Sequence, residues 1–157
     1  FLLNNELTDF DLPASPDAPH PNAPAPGKRP RSSMSPLLVF KDGAPVLALG
    51  SPGGSTIITT VGQTLVNHLD FGMPIEEALA APRVSQRNSA DHRSQAEPAF
   101  IASPEAAELG ALGHGFTDVG PIGALTAIRF HPDGTVTAAA EPTRRGGGSA
   151  MVVEPVK

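Results

Sequence analysis

The sequence predicts an α+β fold of antiparallel hairpins with a few helices, and three observations carry that reading. Two pairs of short β-prone runs flank Asp-Gly dipeptides, at Asp42-Gly43 and Asp133-Gly134, a strong hairpin signal. Between them, Ile57, Ile58, Val61, Leu65 and Leu69 recur at helical spacing. No internal repeat is present, so the hairpins and helices read as layers around one core.

The elements follow in order. Residues 1–3 are apolar and end in Asn4-Asn5, a strand running into a turn. Residues 11–36 are rich in Pro, Ala, Asn and Ser and form a long proline-rich loop, of the length that is usually functional or disordered. "LLVF" (37–40) and "PVLALG" (45–50) make the first hairpin around "KDGA". "SPGGS" (51–55) follows, and the periodic helix is expected to start near Ser55 and stop around Gly72. Pro74 in a first turn, Glu76 and Glu77 at the positive end of the dipole, and Pro82 as a stop mark a second helix. Residues 85–98 are polar and read as loop. Ser103-Pro104-Glu105 opens a third short helix with Ser103 as its cap and Gly110 or Gly113 near its end. "ALTAIRF" (124–130) and "TVTAAAE" (135–141) form the second hairpin around "HPDG". "RRGGG" (144–148) reads as a flexible connection to a last short strand over residues 150–154.

Composition bounds the function. A chain of 157 residues fits one domain or a large part of one, and 1–157 is read as a single partial domain. The formal charge of -5 argues against nucleic acid, whose binders carry a clustered basic surface. Lys28, Arg29 and Arg31 do cluster, but Asp17 and the surrounding prolines dilute them into a solvated loop. Absence of cysteine excludes a disulfide framework and a thiolate metal site. No apolar run approaches the roughly 20 residues needed to span a membrane. No signal peptide is visible, but the chain opens at Phe1 as if in mid-strand, so the N-terminus is expected upstream. With 18 Pro and 16 Gly the composition leans toward disorder, yet 39% hydrophobic residues in a patterned order specify a folded protein with long loops.

Three places can carry chemistry. Gly53-Gly54 sits between a strand and a helix, where glycine permits positive φ and close approach of backbone to a ligand. A helix start adds unpaired N–H groups, so the pair reads either as an oxyanion hole or as a tight strand-to-helix turn. "SPGGST" lacks the lysine and spacing of a nucleotide phosphate loop. Ser32 and Ser33 carry hydroxyls that could bond a carboxylate, or simply face solvent. Glu6 and Asp9, three apart, suit an ammonium group, general acid/base work or a helix start. None of the five histidines pairs at metal-ligand spacing, and no metal site is expected. No G-x-S-x-G elbow is present.

Taken in order, "LLNNELTDF" (2–10), "KRPRSSMSP" (28–36), "GSPGGSTIITTV" (50–61) and "EALAAPRV" (77–84) resemble successive motifs of the gamma-glutamyltransferase light subunit, in its C-terminal part. The resemblance covers nearly all of the chain and weakens after residue 85. It implies an N-terminal nucleophile hydrolase with a stacked αββα core, cleaved from a precursor by its own threonine, which then attacks a gamma-glutamyl amide. It further implies that Gly53 and Gly54 form the oxyanion hole, Ser32 and Ser33 hold the substrate α-carboxylate, and Glu6 and Asp9 hold its α-amino group, with Met34 packing the pocket wall. No cofactor is implied. The implied partners are a gamma-glutamyl small molecule and the large subunit of the same precursor, with an arginine from that subunit on the substrate carboxylate. A periplasmic or secreted location in bacteria is implied too.

The departures are specific. Position 6 is Glu where some members have Gln, and Leu7-Thr8 stand where Met-Asp is common. "EPTRRGGG" replaces a shorter Asp-Pro-Arg pattern. The family's threonine lies upstream of Phe1, and no internal threonine has the free α-amino group that serves as its base. The chain by itself is therefore expected to be inert. A related acylase, acting on cephalosporin or glutaryl groups or processing poly-gamma-glutamate, would share the fold and the oxyanion glycines. A non-catalytic binding remnant is the other alternative.

Overall fold

In the computed structural model, residues 6–12 and 20–153 are described; the strand expected over residues 1–3 lies outside them. A 3-10 turn (Glu6–Asp9) comes first. Residues 20–36 carry no helix or strand, and then come β1 (Leu37–Lys41) and β2 (Ala44–Gly50), followed by α1 (Ile57–Leu65) and α2 (Ile75–Ala80). Next are β3 (Val84–Ser85), β4 (Arg93–Ala96), α3 (Pro98–Ile101), α4 (Pro104–Ala111) and β5 (Gly115–Asp118). The second hairpin, β6 (Thr126–Phe130) and β7 (Val136–Ala140), closes the order. The architecture is α+β.

Local chemistry explains the elements that the sequence predicted. Asp42 and Gly43 take φ 51 and 81, the paired positive values of a tight hairpin turn, and Lys41 pairs with Ala44 across it. The helix after Gly53 opens with a 3-10 turn (Gly54–Thr56), continues as α1, and ends in a π-helical turn (Val66–Asp70) before Gly72. Ser103 caps α4, its Oγ accepting from Ala106 N at 3.2 Å. Pro74 stands at the N-cap position of α2, just ahead of the first turn.

Four strands form an antiparallel sheet in the order β1-β2-β6-β7. One face packs against α1 and α2: Leu47, Leu49, Leu125, Ala127 and Ala139 meet Ile57, Val61, Ile75 and Leu79. Because side chains alternate along a strand, Leu38, Ala48, Ile128 and Ala138 line up in register on the other face. That face is apolar and open, with Leu38 60%, Phe40 59% and Ile128 42% exposed. Among the described residues no helix is long and apolar enough to cross a membrane.

Two expectations are corrected. Residues 85–98 are not a loop: β3 and β4 pair antiparallel, β4 pairs parallel with β5, and α3 follows. The alternation is there, but its inward positions are the small residues Ser85, Ser94 and Ala96, so no apolar period is visible in the sequence. Phe100 on α3 meets Phe116 on β5 edge-to-face at 5.4 Å, closing this second sheet. The tail is the other correction. Arg144 is buried within a 3-10 turn (Arg144–Gly146) rather than lying in a flexible link. Residues 150–153 form no strand, since Met151, Val152 and Val153 stand exposed with no neighbouring strand to pair with among the described residues.

Candidate oxyanion turn and substrate-binding loop

β2 ends at Gly50 and the chain reverses through Ser51-Pro52-Gly53-Gly54 into the helix. Gly53 takes φ 149 and ψ 4, and Gly54 φ 55, a backbone path that side chains resist. A Cβ built on Gly53 would lie 2.9 Å from Thr56 Oγ1. The N–H groups of Gly53 and Gly54 lie at the N-cap and the first position of the 3-10 turn, where no intrahelical acceptor exists, and neither has an acceptor among the described residues. The carbonyls of the two peptides that carry these N–H groups are held: Ser51 Oγ donates to Pro52 O at 2.7 Å, and Gly53 O accepts from Thr56 N at 3.2 Å and from Thr56 Oγ1 at 2.9 Å. Ser51 Oγ also accepts from Ala124 N at 3.1 Å. Gly123 fits against this point so closely that a Cβ there would sit 2.8 Å from Ser51 Oγ. Two free, fixed backbone donors at a helix start can stabilise a negative oxygen.

Glu6 and Asp9 lie on the first 3-10 turn. Asn22 ties this turn to the segment that leads to the serines. Its Nδ2 donates to Asp9 O at 2.6 Å and to Asp11 Oδ2 at 3.1 Å, and its Oδ1 accepts from Arg31 N at 2.8 Å. Arg31 Nη2 reaches Asp11 Oδ1 at 3.2 Å, next to Ser32 in sequence. Asp9 and Ser32 thus belong to one hydrogen-bonded loop. Ser32 Oγ accepts from Met34 N at 3.3 Å, and Ser33 O from Ser35 Oγ at 3.1 Å. Met34 itself is 64% exposed. No described hydrogen bond joins this loop to Gly53-Gly54. What relates them is the first hairpin: Leu37 pairs with Leu49, so residues 33–36 entering β1 and residues 51–54 leaving β2 meet the same end of the sheet.

Behind the turn lies a cluster of four buried charges, Arg83, Glu97, Glu141 and Arg144. Arg83 Nη2 meets Glu141 Oε2 at 2.8 Å, and Arg144 bridges Glu97 at 2.5 Å and Glu141 at 2.9 Å. Backbone groups complete it: Arg83 Nη1 donates to Ile122 O at 2.6 Å, Glu97 Oε1 accepts from Ile122 N at 2.8 Å, and Arg144 caps the carbonyls of Leu79, Ala80 and Ala81 at the end of α2. Burial alone would raise the Glu97 carboxyl, but hydrogen bonds from Arg144 and from Ile122 N–H outweigh it and hold Glu97 below the usual range. For Arg144, burial works against the charge and is overcome by Glu97 and Glu141, so its guanidinium is held more firmly protonated. Arg83 is pulled down by burial and by the neighbouring Arg144. Sequence reasoning missed this cluster and Asn22. The one available signal was an arginine set among the apolar residues of "EALAAPRV".

A family model described as "Gamma-glutamyltranspeptidase" matches residues 1–151. The "Glutathione hydrolase proenzyme" of Bacillus subtilis (strain 168) is 40% identical over 149 residues, covering 92% of this chain and 24% of the relative. The chain therefore spans about a quarter of the length of the curated relatives it matches. Among solved structures, "Gamma-glutamyltranspeptidase from Pseudomonas nitroreducens complexed with L-DON" superposes with a TM-score of 0.81 at 38% identity, covering 98% of this chain and 82% of that one. A cephalosporin acylase from Bacillus halodurans superposes with a TM-score of 0.76 at 28% identity, covering 96% of this chain and 27% of that one.

Proposed function

This chain belongs to the gamma-glutamyltranspeptidase family, and from that premise we propose that it supplies the oxyanion hole and the α-amino-acid clamp of an enzyme that transfers or hydrolyses the gamma-glutamyl group of glutathione and related amides. The observation that carries this reading is the Gly53-Gly54 turn, with two unpaired N–H groups at a helix start. The attacking group is an N-terminal threonine from a part of the protein outside these 157 residues. Its hydroxyl adds to the γ-carbonyl carbon while its α-amino group takes the proton. The new O⁻ accepts from Gly53 and Gly54. The C–N bond then breaks, the proton passes to the leaving amine, and an ester remains for water or an acceptor amine to cleave.

Orientation comes from charge complementarity. Glu6 and Asp9 face the substrate ammonium, and the hydroxyls of Ser32 and Ser33 its α-carboxylate, with Met34 beside them. The loop stapled by Asn22 supports that division, because it keeps Asp9 and Ser32 in one unit. The 157 residues act as part of one domain. A sheet from a part of the protein outside these 157 residues covers the open face of Leu38, Ala48, Ile128 and Ala138, and the large subunit of the same precursor completes the pocket.

The test is chromophore release from a gamma-glutamyl anilide by the full-length protein, with and without a dipeptide acceptor. Release that accelerates with acceptor is expected; no release from fully cleaved protein would overturn the reading. The likeness to cephalosporin acylase favours a second reading, a plain acyl substrate. Asp9→Ala separates the two, since it should abolish gamma-glutamyl turnover and spare a glutaryl amide.

A further inference from the structure

We propose that Ser51 is a positioning residue for the oxyanion hole, acting through the peptide between Pro52 and Gly53. The inference rests on the assignment of Gly53 and Gly54 as the oxyanion donors. A trans peptide is rigid and planar, so its C=O and N–H point in opposite, fixed directions. The N–H of Gly53 therefore shares its plane with the carbonyl of Pro52, and the N–H of Gly54 shares its plane with the carbonyl of Gly53. Each of those carbonyls is gripped from behind. Pro52 O accepts from Ser51 Oγ at 2.7 Å. Gly53 O accepts from Thr56 N at 3.2 Å and Thr56 Oγ1 at 2.9 Å. Holding the carbonyl end fixes the aim of the donor end, and it polarises the peptide so that the N–H is the stronger donor.

The two grips are not equivalent. Thr56 holds Gly53 O twice, once through a backbone N–H that every residue but proline keeps. The described contact to Pro52 O comes from the Ser51 hydroxyl. Ser51 is itself anchored, because its Oγ accepts from Ala124 N at 3.1 Å. Ala124 ends a segment in which Ile122 is held on both sides, its N–H by Glu97 and its C=O by Arg83. Gly123, between them, lies so close to that hydroxyl that a Cβ there would come within 2.8 Å of Ser51 Oγ, so the Ala124–Ser51 contact needs glycine at this position. The chain of contacts runs from the buried charges to Ile122, to Ala124, to Ser51, and so to the peptide that carries the first oxyanion donor. An enzyme gains from such a hole only if the donors are aimed before the charge develops.

The experiment uses the full-length, cleaved protein and reads two quantities: the single-turnover rate of anilide release, and the inhibition constant of free glutamate. Glutamate occupies the amino-acid clamp without building an oxyanion. Ser51→Ala is expected to slow release by about tenfold to a hundredfold, with the glutamate constant within about twofold of the parent. Ser51→Cys, similar in volume but a weak donor, should fall between. Thr56→Val should lose less than Ser51→Ala. Release at the parent rate in Ser51→Ala or Ser51→Cys would overturn the proposal, as would a glutamate constant that weakens by the same factor as the rate. If Ser51→Ala fails to fold, Ser51→Cys decides alone. Gly53→Ala distinguishes the underlying reading: full release from that variant removes the oxyanion assignment and this proposal with it, whereas an inert Gly53→Ala beside a fully active Ser51→Ala removes only the role of Ser51.

Discussion

At the scale of single residues, geometry at Gly53 and charge at Glu97 give the sharpest expectations. Gly53→Ala forces a Cβ to within 2.9 Å of Thr56 Oγ1 at a φ of 149, so the turn must shift and its donors with it. Turnover of a gamma-glutamyl anilide by the full-length protein should fall by about a hundredfold or more. Glu97→Gln leaves Arg144 buried with half its compensation gone. Loss of one partner from a buried pair costs about 3–5 kcal/mol, readable by urea denaturation. The same residue sets a pH dependence. Its folded carboxyl is held below its ordinary value, so its contribution is complete above the unfolded pKa of about 4.3 and disappears as pH falls through the lower folded value. Melting temperature should therefore drop on acidification below about pH 4, and Glu97→Gln should flatten that acid limb.

At the scale of elements, the contrast between what the sequence revealed and what it hid has a physical cause. Asp42-Gly43 declared a hairpin because the turn is decided by two residues whose backbone preferences are local. Ser103 declared a helix start for the same reason, and Ser103→Ala should cost about 1 kcal/mol in urea melts by freeing the N–H of Ala106. Gly53-Gly54 was legible as a tight turn because few other roles place two glycines between strand and helix. β3, β4 and β5 were not legible. Their inward side chains are small, and β4 and β5 pair in parallel across a gap filled by α3 and α4. Arg144 read as part of a flexible glycine-rich link because the partner that buries it, Glu97, lies 47 positions away. Asn22 carried no signal at all, since its value comes from contacts to Asp9, Asp11 and Arg31 that only the folded loop creates. The substrate roles of Glu6, Asp9, Ser32, Ser33 and Met34 rest on the family resemblance, and Asp9→Ala tests the clamp they form.

At the scale of the whole molecule, one face of the main sheet is buried under two helices and the other is an uncovered apolar row. Contiguous apolar surface on a sheet seeks a partner. Produced by itself, this 157-residue chain should elute above its 16.1 kDa mass and bind a hydrophobic dye. Production together with the rest of the precursor should suppress both, a comparison that size-exclusion chromatography makes directly. The four buried charges act at this scale too, because they join the end of α2, the start of α3, the segment before β6 and the tail after β7. That arrangement also governs how the sequence can evolve. The ion pairs run as a chain, Arg83 to Glu141 to Arg144 to Glu97, so replacing Glu141 strands Arg83 and replacing Arg144 strands Glu97 in the interior. A lineage can exchange the set for apolar residues only by crossing a destabilised intermediate or by changing several codons in concert. Drift at these four positions should therefore be strongly epistatic, with descendants keeping the whole quartet or replacing it together.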